Sequence, residues 1–231
     1  MSTTPRRDFL TTLAATAATA AVGATVGGYA PAAGAMSAPG PFDDSWSARV
    51  KAAKHKIVFD SPEPNDGLAF TQAWIHRRGF ETMGAATQDV IPVIVLRHAA
   101  AALALDDALW AKYHIGALRK LDDPDTKKPA ERNPWARATP GKAGDADLAA
   151  ILGPGIDPTV EGVLHSGGIV LVCNLALGRV ARGIAQQNGL KPETVHEELR
   201  AGVVPGVLVQ PSGVYATARA QEVGCVFQRS T

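Results

Sequence analysis

Three short, unbroken apolar runs constrain this chain more than any other feature. They are Lys56-Ile57-Val58-Phe59-Asp60, Val90-Ile91-Pro92-Val93-Ile94-Val95-Leu96 and Ile169-Val170-Leu171-Val172. Rich in β-branched residues, they read as strands. Because consecutive rather than alternate positions are apolar, Lys56 and Asp60 at the ends of the first run apart, both faces of each strand must be buried. A mostly parallel sheet with helices on both sides meets that condition. Pro92 falls near the start of its run, where the missing N–H costs least.

Helical patterns fill the intervals. Asn65 or Asp66 is placed to cap a helix over 67–78, whose apolar surface comes from Leu68, Phe70, Trp74 and Ile75. Residues 99–104 continue the second strand into a loop or short helix, and 105–113 read as a helix carrying Leu109, Trp110 and Tyr113. Residues 159–165 form a helix and Gly167-Gly168 a turn. A longer helix over 174–188 sets Leu175, Leu177, Val180, Ala181 and Ile184 along one side, with Gly189 as its C-terminal cap. Lys191-Pro192-Glu193 opens another helix that runs to residue 200. Val207-Leu208-Val209 is a fourth strand, 211–223 a last helix, and Cys225-Val226-Phe227 a short terminal strand. The expected fold is a three-layer α/β sandwich of about five mostly parallel strands. The direction of the last strand stays open.

One segment breaks this alternation. Residues 119–158 hold Pro124, Pro129, Pro134, Pro140, Pro154 and Pro158 among many charges. They read as an insertion too polar for core, either a mobile excursion or a lid or interface element, with a small helix near 147–150.

The N-terminus says where the chain works. Arg6-Arg7-Asp8-Phe9-Leu10 precedes a stretch without charge that ends in the small-x-small pattern Ala33-Gly34-Ala35. A basic region, an apolar region and a cleavage site, in that order, form an export signal. Paired arginines before Phe and Leu resemble its twin-arginine variant. Gly23, Gly27, Gly28 and Pro31 interrupt the stretch and oppose its reading as an uncleaved anchor. The expected organisation is a signal peptide at 1–35, a leader at 36–54 and one domain at 55–231. The mature protein is then periplasmic or otherwise extracytoplasmic, with no membrane span.

Cleavage leaves equal numbers of basic and acidic residues, so charge argues neither for nucleic acid nor for a cation reservoir. There is no CxxC pair, and His196-Glu197-Glu198 is not a zinc-peptidase motif because position 200 is Arg. GxGxxG, P-loop and GxSxG runs are missing from the mature chain. No cofactor is expected.

Chemistry in such sheets gathers at the C-terminal ends of strands. Two residues with reactive side chains end strands here: Cys173, where the third strand turns into a helix, and His98, just past the second. Arg97 and Asn174, beside them, are candidate pocket residues. Unpaired N–H groups at the helix start favour a thiolate at Cys173, which would make it a nucleophile. The alternative is a small buried hydrophobe. Asn174 would cap the helix or hydrogen-bond a sulfur ligand. If the second and third strands flank the first, His98 and Cys173 lie about 10 Å apart. His98 then assists through a bound ligand, or is a loop residue only. Cys173 ends its strand whereas Cys225, the other cysteine, begins the last one, so parallel neighbours would keep them too far apart for a disulfide.

Three segments, taken in order, resemble the DsrE/DsrF-like family. Val93-Ile94-Val95-Leu96-Arg97-His98-Ala99-Ala100 resembles its second strand, and Gly168-Ile169-Val170-Leu171-Val172-Cys173-Asn174-Leu175-Ala176-Leu177 its third strand with the terminal cysteine. Val204-Pro205-Gly206-Val207, through Gln221-Glu222-Val223-Gly224-Cys225-Val226-Phe227, resembles its closing strand, helix and strand. The likeness covers 56–228 outside the insertion and points to an exported branch. It implies a homo-oligomer, a trimer or hexamer, and a persulfide carried on the cysteine matched by Cys173, exchanged with a sulfur donor or acceptor protein. Other members of the family have no established activity. Two functional readings follow: a persulfide carrier or sulfurtransferase-like protein using Cys173 and His98, and a non-catalytic oligomeric protein that binds a small ligand or is structural.

Overall fold

Burial on both faces decides the architecture. The computed structural model of the protein describes residues 41–138 and 150–231. Five strands form one sheet: β1 (His55–Ser61), β2 (Val90–Leu96), β3 (Ile169–Cys173), β4 (Leu208–Gln210) and β5 (Val226–Arg229). Their order is β4-β3-β2-β1-β5, and every pairing is parallel, which settles the direction of the last strand. All residues of β2 and β3 are buried.

The helices are α1 (Trp46–Ala52), α2 (Leu68–Thr82), α3 (Asp107–Tyr113), α4 (Ile115–Arg119), α5 (Val160–His165), α6 (Asn174–Asn188), α7 (Pro192–Ala201) and α8 (Gly213–Glu222). Alternate strand residues sort the core into two layers. Ile57, Phe59, Ile94, Leu96, Val170 and Val172 face α2 through α7. Val58, Val93, Val95, Ile169 and Leu171 face α1 and α8. The expected three-layer sandwich is what forms. The connections from β1 to β2, β2 to β3 and β3 to β4 lie on the first face. The single crossover from β4 to β5 runs across the second, with α8 packed against β1 to β4.

Local chemistry sets several boundaries. Gly189 ends α6 in the left-handed region at φ 64°, as its sequence position predicts. Thr159 and Ser212 cap α5 and α8 through their hydroxyls, and Asp106 caps α3 through its carboxylate. Asn65 and Asp66 do not cap α2. They form a 3₁₀ turn with positive φ, and Gly67 at φ 73° precedes the helix.

Two sequence-based expectations need correction. The leader expected at 36–54 is a packed helix from residue 46 on. Trp46 and Val50 are buried against the second face, the Asp43 carbonyl accepts from Gln210 Nε2 at 2.8 Å, and Asp44 pairs with Arg219 at 3.0 Å. The insertion at 119–158 also supplies core. Ala130, Trp135, Ala136 and Ile156 join the first layer. Buried Asn133 donates from Nδ2 to the carbonyls of Leu103 and Leu105, each at 2.8 Å, and so ties the segment down. Proline content hid this, because few apolar side chains on a long polar segment are enough to anchor it. The small helix expected near 147–150 lies outside the described residues but for its last residue, as do the export signal and the first part of the leader.

Trp135 rests directly on Gly67, where an added Cβ would overlap the indole ring. Gly67→Ala is therefore expected to cost about 2 kcal/mol or more, from positive φ and overlap together. Gly79, exposed within α2 with open space around it, is the control: Gly79→Ala should be neutral or stabilise by about 0.5–1 kcal/mol. Urea denaturation of both variants checks the contrast.

Candidate functional site at the C-terminal edge of the sheet

The last crossover runs on the opposite face from the three before it. Helix α6, after β3, covers the first face, and α8, after the adjacent β4, covers the second. Strand ends at such a divergence are where ligands bind in open parallel sheets. Cys173 is the last residue of β3 and pairs in register with Gln210, the last residue of β4.

Cys173 caps α6 itself. Its Sγ accepts the Ala176 N–H at 3.3 Å, and the residue keeps 7% exposure. The thiol thus sits on the first turn of a 15-residue helix, where unpaired N–H groups and the helix dipole favour negative charge. This displaces Asn174 from the capping role expected of it. Asn174 is instead the first residue of the helix, and its buried Oδ1 has no hydrogen-bond partner among the described residues. Gln210, 1% exposed, has an equally unpartnered Oε1. Two buried amide oxygens thus belong to the neighbours of Cys173, one along the chain and one across the ladder. Both are ready to accept a proton donor.

Arg97 supplies the positive charge. The register Leu96↔Val172 carries it to the level of Cys173 on the adjacent strand. Its Nε and Nη2 donate to the two carboxylate oxygens of Asp60, the latter at 2.7 Å. The hydrogen bond to Asp60 holds the guanidinium above its ordinary pKa, against the opposing effect of burial, and the charges of Asp60, Cys173 and Glu63 act in the same raising direction. Gly213, at the start of α8, lies against the Arg97 side chain, where a Cβ would collide with it. The start of α8 is thereby packed onto the arginine.

His98 takes a different place from the expected one. β2 and β3 are neighbours and do not flank β1, so the strand ends are one ladder spacing apart, about 4.8 Å. The residue brought level with the cysteine is Arg97. His98 follows it on positive-φ backbone at 48° at the start of a 3₁₀ helix, exposed, with no side-chain hydrogen bond among the described residues. Cys225 lies at the start of β5, at the opposite end and beyond β1, and both cysteines are free. Burial pushes its thiol up to about 11. Of the two sulfurs, Cys173 alone caps a helix; at Cys225 the opposing charge of Lys56 is outweighed by burial.

Sequence reasoning missed Asp60 and Gln210. The signal for Asp60 was available, since a carboxylate that closes a buried apolar strand needs a cationic partner. Gln210 gave none, because its partner in register is fixed only by the sheet. Among the described residues no cluster of three or more His, Cys, Asp or Glu could hold a metal, and no helix is long and apolar enough to cross a membrane.

Arg97→Met should leave Asp60, 5% exposed, as an uncompensated buried charge and cost about 2–3 kcal/mol, below the full buried-pair value because Arg97 is partly solvated. Asp60→Asn/Arg97→Met should recover much of that loss, so denaturation of the two single variants and the double variant should be strongly non-additive. Comparison of the chain with family models, with curated proteins and with solved structures returns no match.

Proposed function

We propose that this chain is an exported DsrE/DsrF-like protein that carries sulfane sulfur on Cys173. The observation that supports this most is the double electrostatic setting of the sulfur: it caps α6 and lies level with Arg97. A thiolate and a persulfide anion each carry one negative charge at the terminal sulfur, so the same helix start and guanidinium favour both.

The loading step is a sulfur-for-sulfur displacement. The Cys173 thiolate attacks the outer sulfur of a sulfane donor such as thiosulfate. The S–S bond of the donor breaks, and sulfite departs with the bonding electron pair. The charge is conserved, no separate oxidant is consumed, and the product is a Cys173 persulfide. Transfer to an acceptor thiolate reverses the logic and restores Cys173. His98, exposed one residue beyond Arg97, is placed to serve the incoming or departing partner rather than the buried sulfur.

The proposal places the mature protein outside the cytoplasm, as a homo-oligomeric trimer or hexamer that meets a sulfur donor or acceptor protein. The edge strand β5 supports assembly. Its residues are all exposed, with Val226 at 67% and Phe227 at 47%, and an open apolar edge invites pairing.

The 7% exposure of Cys173 favours a second reading, in which the thiol is packing and the protein is a non-catalytic oligomeric binder. One experiment separates them. Wild type, Cys173→Ser and Cys225→Ser are treated with thiosulfate or polysulfide and weighed intact, with and without reductant. A reducible gain of about one sulfur on wild type and Cys225→Ser, absent from Cys173→Ser, is expected. Equal loading of Cys173→Ser, or none on wild type, rejects the carrier function.

A further inference from the structure

The other end of the sheet holds a cationic cavity unrelated to Cys173. It has a volume of about 490 Å³ and is bounded by α1, the middle of α2, the start of β2 and the turn before β3. Arg49, Arg77 and His165 line it, and no carboxylate does. Ala53 and Ile91 form part of an apolar wall.

Arg77 is the unusual member. It is 2% exposed, yet its charge is poorly matched. Its Nη1 reaches the Thr87 carbonyl at 3.3 Å and Glu81 only at 3.9 Å. Glu81 is engaged elsewhere, by Arg78 at 3.1 Å and by the Thr87 hydroxyl at 2.9 Å. Nε is buried without a partner, and Nη2 makes no hydrogen bond among the described residues. Desolvation pulls the guanidinium below its ordinary pKa, with Glu81 raising it and Arg78 adding a further lowering. A buried, always-charged side chain with free donors requires a compensating anion. Arg49 stands across the turn and donates Nη2 to the Gly167 carbonyl at 2.7 Å. That bond holds a second guanidinium at the cavity, and its other donors have no partner among the described residues. Asp89, the other nearby acid, is paired with Lys54 at 2.7 Å.

We infer that this cavity is a binding site for a small organic oxyanion. Its charged head would sit between Arg77 and Arg49, and a compact apolar body would lie along Ala53 and Ile91. Two planar donor forks suit a carboxylate or phosphate head, and the apolar wall selects against a bare inorganic ion.

The probes are benzoate, its neutral isostere benzamide, and inorganic phosphate, titrated calorimetrically into the full-length protein. Saturable benzoate binding is expected, at least about tenfold tighter than either benzamide or phosphate. Arg49→Gln and Arg77→Met should each weaken it by about tenfold or more. Arg49 is exposed at the rim, so Arg49→Gln decides the matter if Arg77→Met fails to fold. No saturable benzoate binding, equal binding of benzamide, or undiminished binding by Arg49→Gln overturns the site. Phosphate binding as tightly as benzoate overturns the apolar half of the inference.

Discussion

The Asp60–Arg97 ion pair is the contact on which the C-terminal edge of the sheet depends. A carboxylate at the end of a buried strand is untenable alone. Its partner must come from the adjacent strand, and Arg97 is the first residue past β2. Both guanidinium bonds to Asp60 fix the side chain in one orientation. That orientation gives α8 a surface to start on, at Gly213, and sets positive charge level with Cys173. A structural requirement of the fold thus doubles as the electrostatic setting of a thiol.

Unequal coverage of the two faces explains where the rest of the molecule is exposed. Three connections share the first face, and one long crossover with α1 closes the second. The chain at 43–46 runs beside β4, held by Gln210 and Arg219. Nothing described covers β5, whose apolar residues face outward. Natural sheets blunt or pair such an edge, so β5 is the edge on which the proposed assembly would draw. The sheet also separates two polar regions: a cysteine with its arginine at one end, and a pair of arginines in an apolar cavity at the other.

Most of the fold was legible because strand burial is written in uninterrupted apolar runs. Val90 to Leu96 could be nothing but a central strand, and Gly189 could hardly do anything but end α6. What sequence could not supply was strand order. Placing β2 beside β3, rather than across β1, depends on crossovers that local pattern does not encode. The order considered, with β2 and β3 flanking β1, would set His98 about 10 Å from Cys173, whereas the observed order brings Arg97 level with the cysteine. Composition also misled over the insertion, because Trp135 and Asn133 act by long-range contacts with Gly67, Leu103 and Leu105. At the site, Cys173 at a helix start was visible from the change of pattern at Val172-Cys173-Asn174. Asp60 and Gln210 became visible only through register.

The account rests on Cys173 being a sulfur available to chemistry in the folded protein, and native-state labelling tests that most directly. The folded protein is pulsed with iodoacetamide at neutral pH, and modification of each cysteine is followed by peptide mass mapping. Cys173 is predicted to be labelled much faster than Cys225, whose thiol burial pushes up to about 11, and faster than the protein unfolds. If both cysteines are labelled together, and only at the rate of global unfolding, Cys173 is core and the site at the C-terminal edge is not a reactive one.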